Sequence, residues 1–293
     1  MSRVDDLLAA PRGRALCAAM RQCGDVFEAL DLAVAFAAYW QQPMDAEETE
    51  VPDDVLRPAA ERVLHSADID WWRAPLRLGE QWYVEHLQEK ERPETPVLDR
   101  TAAALDGWTA EQAGAAESMR DVLERDDVSG TWWSTPNTRG IPVTTRWLAG
   151  RGPVGLWLVE DTMGWPRARC WPVAPTREPR VFEVHGPDDW GQLARSHPFD
   201  VTGSRSPDWR RATGRSGRWV IPHWPSVARD YDAVHVSTWG WLTTAGRPVS
   251  VNGAASLLAG WSPDETYWLT DVLAISGEAV GYVQDDDRWR PVQ

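Results

Sequence analysis

Lysine is almost missing from this chain: Lys90 is the only one among thirty basic residues. Cysteine is scarce too. Cys17, Cys23 and Cys170 are odd in number and lack the spacing of a metal site or a disulfide framework, which excludes cysteine chemistry and suits a reducing compartment. No apolar run approaches the roughly 20 residues of a membrane span, and the N-terminal MSRVDDLLAAPRGR has no apolar stretch long enough for a signal peptide, so a cytoplasmic protein without a membrane partner is expected. The six histidines never fall at i, i+2 or i, i+4 spacing, so no metal site is expected. The signatures GxxxxGK[ST], HExxH, CxxC and GxSxG are all missing, which withdraws the P-loop, zincin and hydrolase-elbow readings.

Against four Phe and five Tyr stand twenty Trp, five before residue 130 and fifteen after it. Each buried Trp brings an indole N–H that needs an acceptor, so an indole-rich core is a costly way to fill volume. The excess therefore points to rings used as walls of a ligand recess in the latter half. With 44 acidic against 30 basic residues the net charge is −14, which disfavours nucleic acid and anionic membranes as partners. Arg139, Arg146 and Arg151, and Arg205, Arg210, Arg211, Arg215 and Arg218, are clustered; they read more simply as solvated faces with ion pairs.

At 43% apolar and 25% charged residues the chain has globular composition, and its length suits two domains. The spacing predicts a helix pair over residues 12–41 broken at Gly24, an acidic loop in QQPMDAEETEVPDD, and a helix from Asp53 or Asp54 to about His65. An aromatic turn in DIDWWRAPLR follows, then a helix near 80–89 and an Ala-rich helical stretch over 97–123 with a break at Gly107. Beyond Asp126 and Asp127 the grammar changes to strands and hairpins, in SGTWWSTP, PVTTRWL, GPVGLWLVEDTM, RARCWPVA and PRVFEVHG. Helices are expected at 187–196 and around 225–230, strands at 232–237 and 266–273, and a loop in AGRPVSVNG. The reading is an α+β protein: a helical region over 1–128 packed on a mixed, mostly antiparallel β-rich domain over 129–293 that carries the site.

Three stretches carry candidate chemistry. In VFEVHGPDDW, His185 ends a strand where Gly186 permits close backbone approach; it reads equally as a strand-end His before a turn. In ARDYDAVHVSTWGW, Tyr231, Asp232, His235, Trp239 and Trp241 crowd one strand and its exit, with His235 and Ser237 on one face by period two. An amphipathic edge strand has the same pattern. In GWSPDETYWLTD, Trp261 and Trp268 bracket Asp264 and Glu265, and carboxylates held against indoles would have raised pKa values; a polar turn with both acids in water is the plain alternative.

The run from Arg180 to Asp271, including VFEVHGPDDWGQLARSHP and LLAGWSPDETYWLTDV, resembles a tryptophan-rich group of uncharacterised actinobacterial proteins, a resemblance that names no reaction. More distantly, His185-Gly186, Tyr231 and Glu265 are similar in order to the His-Tyr-Glu branch of the ADP-ribosyltransferase superfamily. That resemblance implies NAD as substrate, catalytic roles for Glu265 and His185, and stacking by Tyr231; the residue pattern itself offers Asp232, His235, Trp239, Trp241 and Trp261 as further binding residues of a Trp-lined pocket. The second Tyr of that family is missing, and the span from His185 to Glu265 is short for it. The competing class is a non-catalytic protein whose Trp-lined surface holds a small molecule or a protein partner. A third is a hydrolase or transferase with Asp232 and His235 as a dyad, which requires the backbone to bend between them.

Overall fold

The computed structural model describes residues 2–35, 51–121, 128–160, 162–285 and 288–292. The architecture is α+β. The chain opens with three helices, α1 (Arg3–Leu8), α2 (Pro11–Met20) and α3 (Val26–Ala35), followed by α4 (Asp53–His65). Ser2 and Asp5 start α1 as a reciprocal capping box. Pro opens α2, and the Asp25 carboxylate accepts from the N–H groups of Phe27 and Glu28 at the start of α3. Their apolar faces put Leu7, Leu16, Leu30, Val34, Leu56 and Val63 into the main core. The expected helix pair is thus present up to Ala35; its continuation to residue 41, most of the acidic loop, and the change of character at Asp126 and Asp127 lie outside the described residues.

Two expectations for the first half are corrected. The stretch near 80–89 is not a helix: a short 3-10 turn, Leu78–Glu80, leads into strand β1 (Gln81–Leu87). Nor does Gly107 break the Ala-rich segment, which is one helix, α5 (Thr101–Met119).

The remaining elements run β2 (Val143–Leu148), β3 (Gly152–Pro153), β4 (Arg167–Pro175), β5 (Val181–Val184), α6 (Pro187–Ser196), β6 (Pro198–Asp200), α7 (Thr202–Thr213), β7 (Val220–Pro222), α8 (Trp224–Asp230), β8 (Ala233–Val236), α9 (Thr238–Thr244), β9 (Pro248–Val251), β10 (Ala254–Leu257), β11 (Glu265–Trp268), β12 (Leu273–Ile275), β13 (Val280–Asp285) and β14 (Arg288–Val292). The main sheet is ordered β14-β13-β4-β1-β2-β11-β8-β5, with β12 on β4 and β3 on β2. Every pairing in it is antiparallel except β5 with β8, which are joined through α6, α7 and α8. β1 lies between β4 and β2, so the helical region contributes an interior strand to the sheet of the second region.

SGTWWSTP holds no strand. The expected loop AGRPVSVNG is instead half of the hairpin β9-β10, whose two-residue turn, Asn252-Gly253, has φ of 44° and 79°. Both are left-handed, as a turn matching the strand twist requires. Strand β8 is interior to the sheet and wholly buried, not an amphipathic edge.

Twelve of the nineteen described tryptophans are buried, whereas Trp133 and Trp147 are exposed. Trp72, Trp108, Trp190, Trp209, Trp219, Trp224, Trp241, Trp261 and Trp268 are fully buried, and Trp190, Trp224 and Trp261 pack with ring centres 6.1–6.4 Å apart. Some indoles find acceptors, Trp190 on Ser256, Trp209 on the Trp132 carbonyl and Trp268 on Thr144. Those of Trp72, Trp108, Trp219 and Trp261 are buried without one. With so little Phe and Tyr, the large volumes of this core are filled by indole at a polar cost.

Candidate functional site

The ladder at the middle of the sheet sets two faces. Glu265 of β11 stands opposite Thr145 of β2 and Val236 of β8, and Thr145 stands opposite Trp82 of β1, so these side chains share one face. On it lies a cavity of about 180 Å³, between the sheet and the segment after β3. Val84, Val143, Leu158, Val159 and Pro263 form its apolar lining; His86, Thr145, Ser262 and Glu265 supply polar groups.

Glu265 is half-buried there. Its Oε2 accepts the Ser262 backbone N–H at 3.0 Å. Burial pushes the carboxyl up to about 8, against the pull of that hydrogen bond and with help from the negative charge of Glu160. Glu160 is itself buried, pairs with the buried guanidinium of Arg12, and gives its N–H to Ser262 Oγ at 3.3 Å. Arg12 in turn lies 4.9 Å over the Trp241 ring. The same burial, with Glu265 nearby, raises the Tyr267 phenol well above its ordinary range. At neutral pH the cavity therefore presents a protonated carboxyl, able to donate a hydrogen bond or a proton.

Asp264, one residue earlier, goes the other way. Its φ of 56° places it in the left-handed region, which Asp tolerates better than most residues, and this turn sends consecutive carboxylates to opposite sides of the sheet. Asp264 accepts from Arg146 at its backbone N–H (3.0 Å) and its Nε (3.1 Å). The Arg146 guanidinium also donates to the carbonyls of Ala74 and Pro75. Next comes His235, fully buried, with Nε2 3.4 Å from Asp264 and Nδ1 2.6 Å from Glu183. Burial lowers its pKa, but the hydrogen bonds to Asp264 and Glu183 outweigh this and raise it to about 9, so the ring is an imidazolium. Glu183 is stabilised as a carboxylate by His235 and by the Leu76 N–H at 2.8 Å. The chain of alternating charges ends at His185, whose Nε2 is 3.8 Å from Glu183 and whose Nδ1 is 3.0 Å from Ser237 Oγ. Burial first, partly offset by Glu183, lowers the His185 pKa. Ser237 is fully buried, donates to the Val184 carbonyl and accepts the Gly240 N–H as the cap of α9, so its hydroxyl is engaged in structure.

Several residues singled out from the sequence do not meet. His185 and Glu265 belong to opposite faces, with β8 between their strands. Tyr231 lies at the far end of β8, packed on Phe182 (5.1 Å) and His197 (6.5 Å). Asp232 and His235 form no dyad. Asp232 is held by Arg177 at 2.7 and 2.9 Å, by Arg180 and by Thr270, and these bonds, Arg177 foremost, keep its carboxyl far below the usual range. Trp239, Trp241 and Trp261 are packed in the core and none lines the cavity; Trp239 takes the Arg73 guanidinium over its ring. The residues that sequence reasoning missed are Glu183, Arg146 as the partner of Asp264, Glu160, Thr145 and His86. Glu183 had a signal, since it lies two residues before His185 on one strand face, whereas Glu160 and His86 come from segments whose placement no local pattern reveals. Among the described residues no group of three His, Cys, Asp or Glu could hold a metal, and no helix is long and apolar enough to cross a membrane. No protein-family model matches the chain, and neither a curated protein nor a solved structure is similar to it.

Proposed function

We propose that the protein binds a small molecule in the Glu265 cavity and that the protonated Glu265 carboxyl is the donor that holds, and can protonate, an acceptor group on that ligand. The observation that carries this reading is a half-buried carboxyl, raised to about 8, at the wall of a mostly apolar cavity of about 180 Å³. A cavity of on the order of 150 Å³ accepts a benzene-sized molecule, so the size suits a ring compound and falls short of enclosing a dinucleotide. The ADP-ribosyltransferase reading depends on His185, Tyr231 and Glu265 converging, and their separation leaves it without geometric support.

The test uses acetophenone, a ring with one carbonyl acceptor, titrated calorimetrically into wild type and Glu265→Gln at about pH 6.5 and about pH 9.5. Above pH 8 wild type loses the donor, and affinity falls about tenfold per pH unit. Gln keeps an N–H donor and no titration, so the variant binds alike at both values. Wild-type binding that ignores pH, or no binding at all, refutes the reading.

A further inference from the structure

Among the described residues only Asn252 and Asp264, glycines aside, have a left-handed φ. Asn252 shares a hairpin turn with Gly253, where Asn is an ordinary choice. Asp264 is the second corner of the turn Pro263-Asp264 that leads into β11, a position that suits Gly or Asn better than Asp. A backbone of this kind persists only where its surroundings hold it, and here the carboxylate supplies the hold. Asp264 is 1% exposed. Its Oδ2 accepts the Arg146 backbone N–H at 3.0 Å, while Oδ1 accepts Arg146 Nε at 3.1 Å and faces His235 Nε2 at 3.4 Å. Arg146 is itself tied to the carbonyls of Ala74 and Pro75, and His235 to Glu183, so the anchor is fixed from both directions.

The entry of the turn is held as well, since the Trp241 indole donates to the Trp261 carbonyl at 2.6 Å. Between these two fixed points lie Ser262 and Pro263, which line the cavity together with Glu265. With both ends held, the Ser262 N–H meets Glu265 Oε2 at 3.0 Å, three residues ahead. That bond makes Oε2 the acceptor and leaves Oε1 to carry the carboxyl proton. We propose that Asp264 is a positioning residue: anchored on the opposite face of the sheet by Arg146 and His235, it holds the 262–265 turn so that the Glu265 carboxyl stays pinned to the Ser262 N–H and meets a ligand already oriented. Resting on the Glu265 reading above, this gives the buried ion network a part in ligand binding as well as in stability.

Glycine at this position adopts the same φ at no steric cost and has no carboxylate, so Asp264→Gly removes the anchor alone. Acetophenone is titrated calorimetrically at about pH 6.5 into wild type, Asp264→Gly and Asp264→Asn, and the Glu265 carboxyl of each folded protein is followed against pH by carbon-13 NMR, with Glu265→Gln identifying its resonance. The glycine variant is expected to bind about tenfold more weakly, the worth of one well-placed hydrogen bond, and its Glu265 to titrate about one pH unit or more below wild type as water reaches the carboxyl. Asn tolerates the left-handed region and keeps one acceptor for Arg146 but loses the charge, and a loss of about threefold is expected. A merely structural Asp264 would lower stability and leave both readouts of the folded protein where they were. Asp264→Gly indistinguishable from wild type in affinity and in Glu265 titration therefore overturns the positioning role and leaves the Glu265 reading intact; where that variant does not fold, the same result in Asp264→Asn overturns it. If wild type does not bind acetophenone, or its Glu265 titrates in the ordinary carboxylate range, the Glu265 reading fails and this one with it.

Discussion

Replacing Glu265 by Gln should make the protein more stable at alkaline pH. The carboxyl passes from an ordinary 4.5 to about 8 in the folded state, so between these values the native protein holds a proton that the unfolded chain has released. Unfolding stability changes with pH in proportion to the protons bound by the unfolded state minus those bound by the native state, and here that difference is negative. Wild type therefore loses stability as pH rises from about 4.5 to about 8, and the loss levels off above. Each unit is about 1.4 kcal/mol, which sets an upper figure near 5 kcal/mol. Because the carboxyl keeps part of its surface open to the cavity, solvent screening reduces this, and about 3 kcal/mol is expected. Gln has nearly the same shape and does not titrate. Urea denaturation at about pH 5, 7 and 9 should give curves that nearly coincide at the lowest pH and separate in favour of the variant towards the highest. A constant difference across that range would refute the reasoning, because it would mean that Glu265 ionises normally in the fold.

Two further outcomes test the framework around the site. A Cβ on Gly240 would stand 2.1 Å from the Val184 carbonyl oxygen, so Gly240→Ala must push α9 off β5; a loss of about 3 kcal/mol or more in chemical denaturation is expected, and one below about 1 would show the contact to be soft. His235→Gln removes the cation between Glu183 and Asp264 and should cost about 3–5 kcal/mol near neutral pH. As the folded pKa is raised from 6.5 to about 9, the His235 contribution is complete below about pH 6.5 and is lost as pH rises through 9, so the gap to wild type must narrow over that range. A gap that widens instead contradicts the imidazolium assignment.

Local grammar carried part of this fold. Pro187, Asp188 and Asp189 announced α6, with the bounds Pro187–Ser196 as expected, and the β-branched runs of VFEV and AVHV announced β5 and β8. QWYVEHL misled because Glu80, Glu85 and Glu89 flank and interrupt an aromatic run at spacings a helix would also accept, whereas the deciding fact is that β4 and β2 close on either side of it. The Asn252-Gly253 pair was a hairpin signal that the surrounding loop-like composition of AGRPVSVNG obscured. At the site, Glu265 and Asp264 stood out as acids beside indoles, and the structure puts both to use for another reason. Asp264 meets Arg146, and Glu265 meets Glu160 and a cavity, partners between 100 and 120 positions away that no spacing rule links. Asp232 and His235 lie three positions apart in the chain and form no pair in space, since each is committed to cross-strand or loop partners of opposite charge.

The interior position of β1 binds the two halves of the chain into a single folding event. As the polypeptide leaves the ribosome, Gln81–Leu87 emerges long before either neighbour, and it must wait for β2 and then β4 before its backbone groups are satisfied. A fragment beginning at residue 129 would have the opposite defect. It would lack the strand that bridges β4 and β2, exposing two open ladders of N–H and C=O groups, and such margins recruit foreign strands. Cutting this protein between its helical and sheet-rich portions should yield sticky halves and not two soluble modules.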